Sequence, residues 1–244
     1  MKLTSCRDAQ DVARRCADQL QAVVATDPEA VLILPAGNTP RPLFAELVRR
    51  QDEGQLDLRR VHVVQLDELV GVAPADPRSF HAFLRDHLLD PLGRDGSRDH
   101  LMRGDAVDPD AEIARHAGAL RRLGPVDLSV LGIGLNGHVA FNEPGTRLED
   151  GARRLPLAPA TAQTLVDAFA PDERPTEGIT LGLAELNASR AVRILATGAS
   201  KASILERLFQ EPPSSDLPAS LLGAHADVEV LADEAAKGAL AARP

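Results

Sequence analysis

The sequence predicts a three-layer α/β fold, a mostly parallel open sheet with helices on both faces, on three observations. Short apolar runs such as Val31–Leu34 and Leu128–Ile133 lack polar alternation, the pattern of strands buried on both sides. Longer segments with helical periodicity separate these runs, and strands alternating with helices imply parallel pairing. No internal repeat or long linker intervenes, and 244 residues suit a single domain spanning 1–244.

The elements follow in order. Residues Asp8 to Ala25 place Val12, Ala13, Cys16, Leu20 and Val23 on one helical face. Val31–Leu34 is the first predicted strand. Thr39 reads as an N-cap and Pro40 as the first position of a helix running through Arg50. A second strand, Val61–Leu66, ends at Asp67, and Ser79–Leu89 and Asp110–Arg122 are helical. Leu128–Ile133 is a third strand that breaks at Gly134 into a polar turn. Ala160–Phe169 forms a short helix. Strands Val192–Ala196 and Val228–Leu231 follow, with helices Lys201–Phe209 and Asp233–Ala242 after them. The Pro/Ser stretch from 211 to 217 reads as a loop rather than a domain boundary.

Composition narrows the function. Hydrophobic residues make up 44% and charged residues 26%, ordinary for a globular enzyme. A net charge of −9 argues against nucleic acid as a partner, since neutralising phosphates needs a basic patch. It leaves room for an anionic small molecule held by backbone amides and one lysine. Cys6 and Cys16 lack metal-ligand spacing, and both are placed in the first helix, as free thiols. The N-terminus has no signal-peptide core, and no apolar run approaches the roughly 20 residues that span a bilayer. A cytoplasmic protein with no membrane partner is expected. With no Trp or Tyr and six Phe, stacking platforms for bases are nearly absent.

Candidate chemistry gathers in the loops that follow strands, where open parallel sheets bind their ligands. Pro35–Pro40 joins a strand to a helix start. Gly37 permits close backbone approach, and Asn38 and Thr39 supply amides beside a positive helix end. A plain capped turn fits the same residues equally well. Lys201, after Gly198 in another strand-to-helix turn, offers a point charge, with a solvated helix lysine as the alternative. Asp67 and Glu68 end a strand. Adjacent strand residues point to opposite faces, so at most one of the two faces a ligand directly. Asn136, His138 and Glu143 fall within eight residues, and a histidine flanked by an amide and a carboxylate suits proton transfer near neutral pH.

Together these segments resemble the glucosamine-6-phosphate deaminase family. The resemblance is carried by LSVLGIGLNGHVAFNEPG (128–145), VLILPAGNTPRPLF (31–44), VVQLDELVG (63–71), DPRSFHAFL (76–84), TGASKA (197–202) and PASLLGAHADVEVLADEAA (218–236). These segments are collinear and cover most of the chain. The related 6-phosphogluconolactonases share the Gly-His pair but continue it with Thr-Ala-Ser-Leu-Phe-Pro, where this chain has Val-Ala-Phe-Asn-Glu-Pro. The resemblance implies a Rossmann-like deaminase/lactonase fold. It also implies isomerisation with deamination of a 2-amino-2-deoxyhexose 6-phosphate, without metal or cofactor, by a monomer or small homo-oligomer. Carried over position by position, Asp67 is the base at carbon 2 and His138 opens the pyranose ring, oriented by Glu143 and Asn136. Gly37, Asn38, Thr39, Glu68, Gly137 and Lys201 form the substrate-binding set.

The chain departs from the pattern in places. Asn136 stands where several members have Asp, and Leu69 where an aromatic is expected. An ungapped count from Glu143 puts Asp167 where many members carry a phosphate-closing arginine, so either the register of that segment shifts or another base, such as Arg41 or Arg174, substitutes. Of the effector-site basic residues in allosteric members, Arg153 is present but position 155 is Leu, so strong allostery is not expected. The alternatives are an isomerase, dehydratase or 6-phosphogluconolactonase using the same site, or a non-catalytic sugar-phosphate sensor. A sensor predicts an attached DNA-binding module and loss of the acids, whereas the chain starts within a few residues of the core and keeps Asp67, His138 and Glu143.

Overall fold

A computed structural model describes residues 1–163, 165 and 168–240. Lys2–Cys6 forms β1, an edge strand that the sequence reading missed, and Cys6 ends this strand instead of lying in the first helix. Helix α1, Ala9–Thr26, starts behind Asp8, whose carboxylate accepts from the Asp11 amide at 2.7 Å. Strand β2 is Val31–Leu34, and α2 is Arg41–Asp52. Thr39 does not cap α2. Pro40 takes that position, with Arg41 N donating to Asn38 O at 3.3 Å, because the turn at 38–40 is closed by backbone rather than by a side chain.

Strand β3, His62–Gln65, stops one residue before the expected end, and Asp67–Leu69 is a separate strand, β4. Helix α3, Phe80–Leu84, is capped by Ser79 and widens into one π-helical turn through Leu89. Then come β5 (Asp99–His100), α4 (Pro109–Leu123), β6 (Leu128–Gly132), β7 (Arg153–Pro156) and α5 (Pro159–Gln163). They are followed by β8 (Glu177–Thr180), α6 (Leu183–Asn187), β9 (Val192–Ala196), α7 (Ala202–Gln210) and α8 (Pro218–Leu221). The chain closes with β10 (Val228–Asp233) and α9 (Glu234–Lys237). Helix α9 is shorter than the expected 233–242 because Gly238 turns away at φ +55; residues 241 and 242 lie outside the described residues. Among the described residues, no helix is long and apolar enough to cross a membrane.

Seven strands form one parallel sheet in the order β1-β10-β9-β6-β2-β3-β5. Alternate side chains of each strand enter opposite layers, as a period of two requires. Val31 and Ile33 pack with Leu131, Ile194 and helices α4, α6 and α7, while Leu32 and Leu34 pack with Val130, Leu195 and helices α1 and α2. The chain runs from β2 to β3 on one side and, after returning, from β6 to β9 on the other. Neighbours β2 and β6 are therefore the point where strand order reverses, and a crevice opens above their carboxyl ends.

A second sheet, antiparallel in the order β4-β8-β7, was not foreseen. It branches from the first at Leu66, whose carbonyl accepts the Leu181 amide at 3.0 Å. Leu69, Val72, Phe141, Leu165 and Phe169 form a small apolar cluster beside it. Gly178 of β8 lies against the Phe141 ring, where a Cβ would come within 2.5 Å of Cδ2. Gly178→Ala should therefore destabilise the protein by about 1–3 kcal/mol, the usual cost of overpacking a core. In a chain of this size that is roughly 2–12 °C in Tm, read by thermal or denaturant unfolding. An unchanged midpoint would mean that the ring gives way freely.

Candidate active site

The crevice above β2 and β6 holds a cavity of about 310 Å³. The loop after β2 contributes Pro35–Pro40, the β3–β4 junction Asp67, the loop after β6 Gly134–Asn136 and His138, and the turn after β9 Lys201. Phe80, Phe141 and Thr161 complete the parts of the wall used below. The convergence follows from topology, since each of these segments leaves the carboxyl end of a parallel strand or, for Phe80, Phe141 and Thr161, packs over one.

Gly37 has φ +107, a conformation that lets the loop turn back over the sheet edge at no steric cost. Asn38 and Thr39 line the cavity just ahead of the positive end of α2. Lys201 is half-buried. Its Nζ donates to Ile133 O at 2.7 Å, which ties the turn after β9 to the end of β6, and burial lowers its pKa from the ordinary lysine value. Arg41 does not line the cavity; its guanidinium stacks 5.0 Å from the Phe83 ring centroid. Arg174 does not line it either, and its Nε is buried without a hydrogen-bond partner. Asp167 lies outside the described residues.

Asp67 and Glu68 divide as strand geometry requires. Asp67 lines the cavity at 7% exposure, and burial, with the neighbouring Glu68 charge, pushes its carboxyl up to about 8. Glu68, expected in the substrate-binding set, does not line the cavity. Its carboxylate accepts from Leu69 N at 2.9 Å, Phe80 N at 3.0 Å, His81 N at 2.7 Å and Gln65 Nε2 at 3.0 Å. Burial still raises its pKa, though these donors oppose the shift. Gln65 Nε2 also donates to the Asp67 backbone carbonyl at 2.7 Å, so one amide binds the Glu68 carboxylate and the backbone beside it.

The loop after β6 is built around the His138 ring. A Cβ on Gly134 would fall 2.3 Å from the imidazole Cε1, so glycine is what lets the ring lie flat against the loop. His138 Nδ1 is 3.3 Å from Glu143 Oε2. Asn136 makes its hydrogen bonds to groups other than the ring. Its Nδ2 donates to Glu143 Oε2 at 2.9 Å, and its Oδ1 accepts the His138 amide at 3.2 Å. Burial pushes the Glu143 carboxyl up, but donors from His138, Thr161 and Asn136 outweigh it and hold the group below the usual glutamate range. Ala140, next along, has φ +53, backbone strain carried by a non-glycine residue within the site.

Gly137, expected in the substrate-binding set, does not line the cavity. Its φ is +86, its carbonyl accepts Ala219 N at 2.9 Å, and a Cβ there would meet Leu217 Cδ1 at 2.2 Å; it packs the loop onto α8. Arg153 is also turned inward, donating to Asn142 Oδ1 at 3.1 Å and Thr146 Oγ1 at 3.0 Å. Residue-by-residue reading passed over Thr161, Gln65, Phe80 and Phe141. No spacing in the sequence marks Thr161, which reaches the site only because α5 folds across it.

A family model described as glucosamine-6-phosphate isomerases/6-phosphogluconolactonase matches residues 5–231. A glucosamine-6-phosphate deaminase from a Geobacillus strain is 35% identical over 235 residues, covering 96% of this chain and 94% of that protein. One from Bacillus velezensis is 36% identical over 239 residues, covering 98% and 99%. The solved structure of a monomeric glucosamine-6-phosphate deaminase superposes with a TM-score of 0.93 at 33% identity, covering 97% of this chain and 99% of the other. A 6-phosphogluconolactonase from Thermotoga maritima shares the fold at a TM-score of 0.75 and 18% identity.

Asp67 makes a prediction about stability. Its carboxyl holds a proton up to about 8 when folded, against 3.8 as its ordinary value, so the folded state binds more protons between those limits. Stability from this group is therefore present at low pH and falls as pH rises through that window. Asp67→Asn removes the penalty, and its Tm advantage over the unmodified protein should be larger at about pH 9 than at about pH 5. An advantage independent of pH would show that Asp67 titrates normally.

Proposed function

This chain belongs to the family of glucosamine-6-phosphate isomerases and 6-phosphogluconolactonases, and on that footing we propose that it converts glucosamine 6-phosphate and water to fructose 6-phosphate and ammonia. The observation that carries the reading is the presence, in one cavity, of a buried carboxyl with a raised pKa and a carboxylate-braced histidine, alongside a lysine and a glycine turn suited to phosphate. A carboxyl and an imidazole facing one cavity give a stepwise proton-transfer reaction two separate proton carriers. The full-length likeness to deaminases and the Val-Ala-Phe-Asn-Glu-Pro sequence support the deaminase branch over the lactonases.

In this reading His138 moves a proton from the anomeric hydroxyl to the ring oxygen and opens the pyranose. Glu143 stabilises the charge that the imidazole gains on the way. Asp67 then takes the proton from carbon 2 and returns it to carbon 1, which turns the amine into an imine at carbon 2. Water adds to that carbon and ammonia departs, leaving the ketose. A carboxyl shifted to about 8 is a stronger base once ionised than an exposed aspartate. Lys201 and the Gly37–Thr39 loop bind the phosphate, and Pro35–Pro40 place it beside the helix end.

Scoring ammonia and ketose phosphate from a panel of amino-sugar phosphates tests the proposal directly, and release of neither from glucosamine 6-phosphate would refute it. Asp67→Asn should lower carbon-2 proton exchange by about 100- to 10,000-fold with little loss of sugar-phosphate binding, since an amide keeps the shape but accepts no proton. Exchange of deuterium into carbon 1 at the unmodified rate would remove Asp67 from this role. Lys201→Ala should raise KM roughly ten- to a hundredfold and change kcat little, because a phosphate remote from the reacting carbons supplies uniform binding. If the variant binds as before, and the unphosphorylated sugar binds as well as the phosphate, the phosphate site lies elsewhere.

A further inference from the structure

Thr161 sits in the first turn of α5 at 5% exposure, and its hydroxyl reaches two members of the site at once. It donates to Glu143 Oε1, and its oxygen lies 3.3 Å from His138 Nδ1. A hydroxyl carries one proton. With that proton given to the carboxylate, the oxygen can only accept from the imidazole. Glu143 Oε2, 3.3 Å from the same Nδ1, is also an acceptor. The neutral ring thus meets acceptors at Nδ1 from two different segments. Among the described residues, Nε2 has no hydrogen-bond partner, and the ring lies against Gly134 on the cavity wall. Asp67 and Lys201 are the other titratable groups lining that cavity.

We infer that Thr161 is a positioning residue for the proposed reaction: with Glu143 it fixes the proton of neutral His138 on Nδ1, reserving Nε2 for exchange with the sugar oxygens. The inference rests on the ring-opening role given to His138 above. It has a structural consequence. Glu143, Asn136 and His138 come from one loop, but Thr161 comes from α5, so the imidazole is fully oriented only when the first turn of α5 is seated against that loop. Glu143 alone leaves Oε1 without this donor. Asn136 occupies Oε2 from the other side, so the carboxylate is held at both oxygens only with Thr161 in place.

The test compares Thr161→Val, which keeps the branched shape and loses the hydroxyl, with Thr161→Ser, which keeps the hydroxyl. Nitrogen–proton correlation spectra, with the His138 signals assigned by their loss in His138→Gln, read the tautomer directly. The unmodified protein should show Nδ1 protonated and Nε2 unprotonated in the neutral ring, and the Val variant a substantial population with the proton on Nε2. Steady-state kinetics should show kcat about ten- to a hundredfold lower in the Val variant with KM within about twofold, and largely restored by Ser. A Val variant with the original tautomer and kcat overturns the inference, and so does equal impairment of Val and Ser, which would report packing alone. Should Val not fold, Thr161→Ala carries the same comparison with Ser. The tautomer is read without turnover, so an absence of deaminase activity would refute the functional proposal while leaving this arm to stand or fall by itself.

Discussion

Strands β2 and β6 lie side by side, yet the chain leaves them toward opposite edges of the sheet, and the space between the departing loops is where the cavity forms. A parallel sheet buries both faces under helices, so its carboxyl-terminal edge is the natural place for loops to gather without stranding backbone polar groups. The Pro35–Pro40 turn and the Gly134–Glu143 loop are separated by about a hundred residues in sequence and meet there for that reason. The second, antiparallel sheet adds Asp67 to the wall, and Phe80, Phe141 and Thr161 complete it. Because β3 passes into β4 at Leu66, Asp67 stands at the junction of the two sheets.

That junction gives two neighbouring acids opposite fates. Glu68 is buried but satisfied by three backbone amides and Gln65, a set of donors that anchors the start of α3. Asp67 is buried on the cavity side, and its proton is held up to about 8. Burying a carboxyl in this way costs stability above its shifted pKa. Gln65 Nε2 donates to both the Glu68 carboxylate and the Asp67 backbone carbonyl, tying the two residues to one side chain.

The imidazole is held by a different kind of device. Glycine at 134 clears space for the ring, Glu143 approaches Nδ1, and Asn136 fixes both the Glu143 carboxylate and the His138 backbone amide. An amide at 136 carries no charge, and in this geometry none is needed there, since its contacts are a donor to the carboxylate and an acceptor for an N–H. Lys201 lines the same cavity, with its ammonium tied to the carbonyl of Ile133 just past β6.

Much of this was legible in the sequence because it is local. Wholly apolar runs mark buried strands, and the strands at 31–34, 128–132 and 192–196 fall where those runs lie. The Asn-Gly-His…Asn-Glu-Pro loop and the strand-to-helix turns carry their chemistry in short spacings, and the family resemblance reads those same segments. What escaped depends on contacts between distant segments. Strands β1, β7 and β8 are short edge or antiparallel strands of mixed polarity, whose pairing comes from neighbours and not from their own periodicity. The inward turn of Arg153 and the structural work of Glu68 and Gly137 follow from which loop packs on which element. The sequence by itself determined the layered α/β architecture and the residue types available for proton transfer and phosphate binding, since hydrophobic period and turn chemistry act over a few residues. Only the tertiary structure decided which acid faces the cavity, how far burial raises its pKa, and that a threonine from α5 completes the histidine site, because solvation and hydrogen bonding between distant segments exist only once the chain has packed.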